Sequence, residues 1–237
     1  MTSPLQDRRI VITRPEADAR AFADRLRARG AEPILAPAIE IEFTDPGQLD
    51  EALARLAEFD WIVFTSRNGV DAVFRRTSDI TGPKIAVIGP ATAEELAAHG
   101  LEPTLMPSSY VAESILEEIG DVQGASILLP GADIARQTLP EGLRAAGAEV
   151  LEIAVYRTRT RADPLPNLES VDAITFTSSS TVRGFLERGI IPLGAAVVCI
   201  GPVTAATARE LGLEVTAEAA EFTEDGLIST LEQLFAE

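Results

Sequence analysis

Two stretches of the chain, FTSRNGV (Phe64–Val70) and FTSSSTV (Phe176–Val182), are near copies. Each is followed at the same distance by a second matched pair, IGPATA (Ile88–Ala93) and IGPVTA (Ile200–Ala205). In both copies an apolar run ends in small polar residues and gives way to a helical pattern, the signature of a strand feeding a helix. A shift of 112 residues lays Asp60–Thr104 on Asp172–Thr216 without a gap. Ile62, Phe64, Thr65, Ser66, Val70, Ile88, Gly89, Pro90, Thr92, Ala93, Gly100, Leu101, Glu102 and Thr104 all meet identical partners.

A second register appears at a shift of 117, where LRARGAEP (Leu26–Pro33) lies on LRAAGAEV (Leu143–Val150) and Ile10 on Ile127. The chain therefore runs A, B, A′, B′, with A a strand–helix–strand unit and B a longer run of strands and helices. Between the repeats the alternation continues. RRIVITRP is a strand ending in proline, and EADARAFADRLRARGA is a helix stopped by Gly30. EPILAPAIEIEF is extended, and DWIVFTS, KIAVIGP, LEPTLM, ASILLPG, EVLEIAVYRT, DAITFTS, AAVVCIGP and LEVTA follow as strands between helical segments. Pro140 falls inside one of those segments, at a first turn or a kink. Such alternation predicts α/β architecture, parallel sheets with helices on both faces.

One A and one B make about five strands, the size of one doubly wound flavodoxin-like sheet. Two such domains use the whole chain. Sequential pairing (A with B, A′ with B′) gives two beads on a string. Interleaved pairing (B with A′, A with B′) gives two domains joined by two crossing strands. APAIEIEF and EIAVYRT are longer than a sheet strand requires, which favours the interleaved form. The expected boundaries are residues 1–37 with 158–237 for one domain and 43–152 for the other, with 38–42 and 153–157 as a two-strand bridge.

Composition narrows the function. A hydrophobic content of 46% supports a buried core. No apolar run approaches the ~20 residues that span a bilayer, so no membrane partner is expected. The start, MTSPLQDRRIVITRP, lacks a charged-then-apolar signal pattern and points to the cytoplasm. A net charge of −17 argues against nucleic acid, which demands dense Lys/Arg coverage. The single cysteine, Cys199, lies in an apolar run and reads as a small core residue. The single histidine, His99, precedes a stop glycine and reads as a helix C-cap. There is no GxGxxG after the first strand, no GxxxxGK[ST] and no metal-ligand spacing, so neither a nucleotide nor a metal cofactor is expected.

In parallel sheets ligands bind beyond the carboxyl ends of the strands. The small polar residues gather there: Thr13 and Arg14; Thr65, Ser66, Arg67 and Asn68; Gly89, Pro90 and Thr92; Pro130 and Gly131; Thr177 to Thr181; Gly201, Pro202 and Thr204. Each set is expected to open a helix, whose unpaired N–H groups receive anions. Each alone is also ordinary capping and turn chemistry; it is the duplication that suggests a cleft for one large, multiply anionic ligand. Tyr156, on a proposed bridging strand, is either a half-buried strand tyrosine or a hydroxyl able to donate a proton to a leaving group.

In order and spacing, VITRP, IVFTSRNGV, AVIGPATA, LLPGADIAR, IAVYRT, ITFTSSSTV, CIGPVTA and TEDGL resemble the uroporphyrinogen-III synthase family over essentially the whole chain. The resemblance implies two interleaved flavodoxin-like domains with a flexible two-strand bridge and an active cleft. It also implies a cofactor-free lyase that dehydrates hydroxymethylbilane, a linear tetrapyrrole, inverts ring D and closes the macrocycle to uroporphyrinogen III. Tyr156 matches the family tyrosine that assists departure of the hydroxyl. Arg14, Ser66, Asn68, Thr92, Arg136, Ser178, Ser179 and Thr204 match its substrate-contacting loops, and Thr13, Gly89 and Gly201 complete the expected binding set. Arg67 stands where relatives often carry proline. A monomer is expected. The rival reading is a non-catalytic, two-lobed binding protein or sensor for an anionic metabolite of this kind.

Overall fold

The structure is a computed structural model that describes residues 3–44, 47–109, 111–189 and 191–236, with only the backbone at Ala17. It divides into two compact units, Met1–Glu40 with Thr158–Glu237, and Ile41–Arg157.

Unit 1 holds β1 (Arg9–Ile12), β2 (Glu32–Leu35), β8 (Ala173–Phe176), β9 (Ala196–Cys199) and β10 (Ala217–Glu218). They pair in the order β2-β1-β8-β9-β10, and the observed pairings are parallel. Numbered along the unit this order is 2-1-3-4-5, the flavodoxin-like arrangement. Unit 2 holds β4 (Trp61–Phe64), β5 (Lys84–Val87), β6 (Ser126–Ala132) and β7 (Glu149–Thr160), which runs past the unit's end, with β3 (Ile39–Phe43) beside β7. Its order, β5-β4-β6-β7-β3, places β4, β5, β6 and β7 where β8, β9, β1 and β2 stand in unit 1. Both shifts found in the sequence thus join strands of equal rank in the two sheets.

Strand residues alternate between two cores in each unit, because successive side chains leave a strand on opposite faces. Ile62 and Phe64 enter one core of unit 2, and Trp61 and Val63 enter the other. Ile10 and Ile12 face one core of unit 1, and Val11, Ile174 and Phe176 face the other. Phe176 meets Phe185 edge-on, with centroids 5.7 Å apart. Truncating such a side chain to alanine costs about 3–5 kcal/mol.

The helices carry the end signals that the sequence suggests. Helix α1 (Glu16–Arg27) has Glu16 and Asp18 in its first turn and Arg25 and Arg27 in its last, which suits the helix dipole. Pro90 and Pro202 sit at the starts of α4 (Pro90–Ala98) and α8 (Pro202–Glu210). Ser178 and Thr181 form a capping box on α7 (Ser179–Arg188). His99 caps α4, and Pro140 falls in the first turn of α6 (Thr138–Ala145), where a missing N–H costs nothing.

Three local expectations are corrected. Pro130 and Gly131 do not open a helix: β6 continues through Ala132, and α6 starts only at Thr138. The twelve-residue β7 offers Ile153, Ala154 and Tyr156 as partners opposite Pro130, Gly131 and Ala132, so the ladder extends. LEPTLM contributes one isolated bridge, Ala86 to Leu105, and LEVTA ends in the two-residue β10. Helix α2 (Gly47–Ala54), with Leu49 and Ala52 buried, was not assigned from the sequence. Leu49, Ala52 and partly buried Leu53 are its inward face, an apolar stripe of barely two turns that leaves a short periodic signal.

Candidate functional site

The chemistry-bearing residues of unit 2 meet where β4 and β6 lie side by side, the point at which the strand order reverses. Ser66 follows β4 as the N-cap of α3 (Arg67–Phe74), and its Oγ accepts the Gly69 N–H at 3.1 Å. A Cβ on Gly69 would stand 2.9 Å from the Pro130 carbonyl oxygen, so the absence of a side chain lets α3 approach β6 closely. From β7, the Tyr156 hydroxyl donates to the same Ser66 Oγ at 2.9 Å, and the Asn68 side chain stands near enough to favour the ionised phenol. The Asp133 N–H donates to the Tyr156 carbonyl at 3.0 Å.

Tyr156 is only 7% exposed, while Ser66 and Asn68 are half-buried. Burial pushes the phenol's pKa up, the Ser66 and Asn68 side chains oppose the rise, and the Asp133 carboxylate adds to it. The hydroxyl therefore keeps its proton at every ordinary pH and acts as a donor. Nearby, Arg67 pairs with Glu95 at 3.2 Å and is tied to α4. Arg136 stands exposed in the loop after β6, with no ion pair to any described residue.

The corresponding point of unit 1 is the β1/β8 pair. Here Thr13 is fully buried, and its Oγ1 donates to the Thr175 carbonyl at 2.7 Å. Thr175 returns a bond to the Val11 carbonyl at 2.9 Å. The Thr13 hydroxyl is thus used as a tie between strands. Arg14 is 9% exposed, pairs with Glu224, and lies 3.8 Å from Asp18. Its Nε is buried without a partner. Ser178 caps α7, Ser179 Oγ lies 2.7 Å from Thr207 Oγ1, and Thr92 and Thr204 are each 4% exposed.

Gly89 and Gly201 are the N-caps of α4 and α8 and bring no side chain to cap them. A Cβ on Gly201 would come within 2.9 Å of the Phe222 ring. That ring is 56% exposed, and Val203 in the first turn of α8 is 51% exposed. Sequence reading singled out neither Asp133 nor Phe222. Both stand in loops, and nothing in their own segment marks them.

Cys199 is buried, and desolvation, aided by Glu218, pushes its thiol up to about 11. It is a core residue. His99 stacks on Phe74 at 3.9 Å. Among the described residues, no group of three His, Cys, Asp or Glu side chains is placed to hold a metal ion, and no helix is long and apolar enough to cross a membrane.

Two sheets of matching strand order, with a buried hydroxyl donor at one switch point, define a duplicated α/β protein of two flavodoxin-like units. The family model described as uroporphyrinogen-III synthase HemD matches residues 20–229. The chain is 36% identical to a uroporphyrinogen-III synthase of Synechococcus elongatus, over 97% of this chain and 96% of that one. It is 30% identical to a putative uroporphyrinogen-III synthase of Methanothermobacter thermautotrophicus, over 86% and 90%. The fold is similar to the solved uroporphyrinogen-III synthetase of Helicobacter pylori, with a TM-score of 0.67 at 18% identity over 94% and 97%. It is also similar to a mutant synthase of Thermus thermophilus, with a TM-score of 0.66 at 20% identity over 97% and 100%. The chain belongs to the uroporphyrinogen-III synthase family.

Proposed function

We propose that this chain dehydrates and cyclises hydroxymethylbilane, with inversion of ring D, to uroporphyrinogen III. The observation that carries the reading is Tyr156: a buried, protonated phenol hydrogen-bonded to Ser66 at the switch point of unit 2. The substrate is already reactive. Loss of hydroxide from its pyrrole-bearing carbon gives a stabilised azafulvene cation, so one well-placed donor is enough acid chemistry.

The harder task is geometric. Unassisted closure joins the chain ends without inversion, so the protein must hold ring D for attack at its substituted carbon, through a spiro intermediate. Holding reacting groups in place can supply about 7–11 kcal/mol. Excluding water protects the cation from recapture.

The carboxylates of the substrate fall to main-chain N–H groups at helix starts on the carboxyl-end rim and to exposed Arg136. Thr13 supports that rim through its strand tie, and Arg14 through its pairing with Glu224. Segments 38–42 and 153–157 serve as the bridge that carries Tyr156. The protein acts in the cytoplasm as a monomer, without nucleic acid or membrane. The test is to supply freshly made hydroxymethylbilane and resolve the product isomers. Type III above the spontaneous background supports the reading; type I alone leaves a binding protein.

A further inference from the structure

The hydrogen bond that fixes Tyr156 also changes which hydroxyl can meet a ligand. Tyr156 as a residue is 7% exposed, and its O–H already points at Ser66 Oγ, 2.9 Å away. Ser66 Oγ accepts a second bond from the Gly69 N–H at 3.1 Å. A serine oxygen has two acceptor sites, and here both are filled, so the serine proton is directed elsewhere. Ser66 is half-buried, more open than the phenol behind it. The outward donor of the pair is therefore the serine.

We propose that Ser66 is a catalytic residue that hands its own proton to the departing hydroxyl, while Tyr156 refills it from behind. This inference rests on the proposed dehydration. As the carbon–oxygen bond breaks, oxygen keeps the electron pair and takes the Ser66 proton, leaving as water. The Tyr156 proton moves to Ser66 Oγ, and the negative charge left on the phenol lies one hydroxyl behind the cation formed on the substrate. When the ring has closed, the proton lost from the substrate's pyrrole system returns through Ser66 to Tyr156, and the balance is one water released. The Gly69 N–H holds the serine in line throughout.

Glycine is tolerated at a helix N-cap nearly as well as serine, so Ser66→Gly removes the hydroxyl and keeps the fold, which thermal unfolding checks. The expected result is a turnover loss of about 10²-fold or more with little change in KM, partly restored by Ser66→Thr. The decisive measurement is the Ser66→Gly/Tyr156→Phe double variant. A relay acts as one unit, so the double variant is no slower than the slower single, and the proton inventory of the wild type in mixed light and heavy water is curved. Losses that multiply, or a linear inventory, overturn the relay. Type III product from the wild type in the same assay keeps that outcome distinct from a failure of the proposed reaction, which would show as no enzymatic type III at all.

Discussion

Arg14 and Glu224, 210 residues apart in sequence, form an ion pair beneath the carboxyl-end rim of unit 1. Glu224 opens α9 (Glu224–Phe235) and also accepts from Arg25 at 2.9 Å. The Arg14 side chain is 11% exposed and already leaves Nε unpartnered, so it depends on this carboxylate. Glu224→Ala leaves the buried guanidinium only Asp18, 3.8 Å away, and a loss of about 1–3 kcal/mol in denaturant unfolding is expected. Glu224→Gln keeps an acceptor and loses less. Equal stability of all three proteins would show that Arg14 is solvated by another route.

Tyr156 carries a prediction in alkali. Its folded pKa lies above the ordinary 10.0 because burial disfavours the phenolate. The proton is held more tightly in the folded state. Its stabilising contribution is therefore complete below pH 10.0 and disappears as pH rises through the folded value. With two tyrosines in the chain, the ultraviolet titration of wild type minus Tyr156→Phe isolates this one. The difference should show ionisation above the ordinary tyrosine range, accompanied by falling stability in the wild type only. A Tyr156 titration at the ordinary value would contradict its burial.

Cys199 should be inert in the native protein. Its thiol is pushed up to about 11, chiefly by burial, and no thiolate forms near neutrality. An aromatic disulfide reagent at mildly alkaline pH should label it only after unfolding, and Cys199→Ala should keep full turnover. Rapid native labelling would place the thiol at an opening that the fold does not show.

Ionic strength separates local from global electrostatics. The chain is −17 and the proposed substrate is a polycarboxylate. Exposed charges more than about 8–10 Å apart are largely screened at physiological salt, so the proposed N–H donors and Arg136 should outweigh the distant acidic surface. KM should rise or stay level as salt is added. A KM that falls steeply with salt would mean that whole-surface repulsion governs binding. Arg136→Ala should raise KM more than it lowers turnover.

The sequence alone determined the strand–helix alternation, the duplication with its two shifts, the inert Cys199, the C-cap His99 and the placement of Ser66, Asn68 and Ser178 at strand ends. Those are local properties: burial periodicity and end signals are written in consecutive residues. Tertiary structure decided which repeat joins which. Ile10 lies beside Ala173 and Trp61 beside Ile127, an interleaving that strand patterns alone left open because the duplicated strands present equivalent faces. It decided that β6 runs through Pro130 and Gly131, since only the long β7 supplies their partners. It also spent the Thr13 hydroxyl on Thr175, bound Arg14 to Glu224 and aimed Tyr156 at Ser66. Each of these bonds spans 90 residues or more, and its partner is chosen by packing the strands together, a long-range energy that no single segment carries.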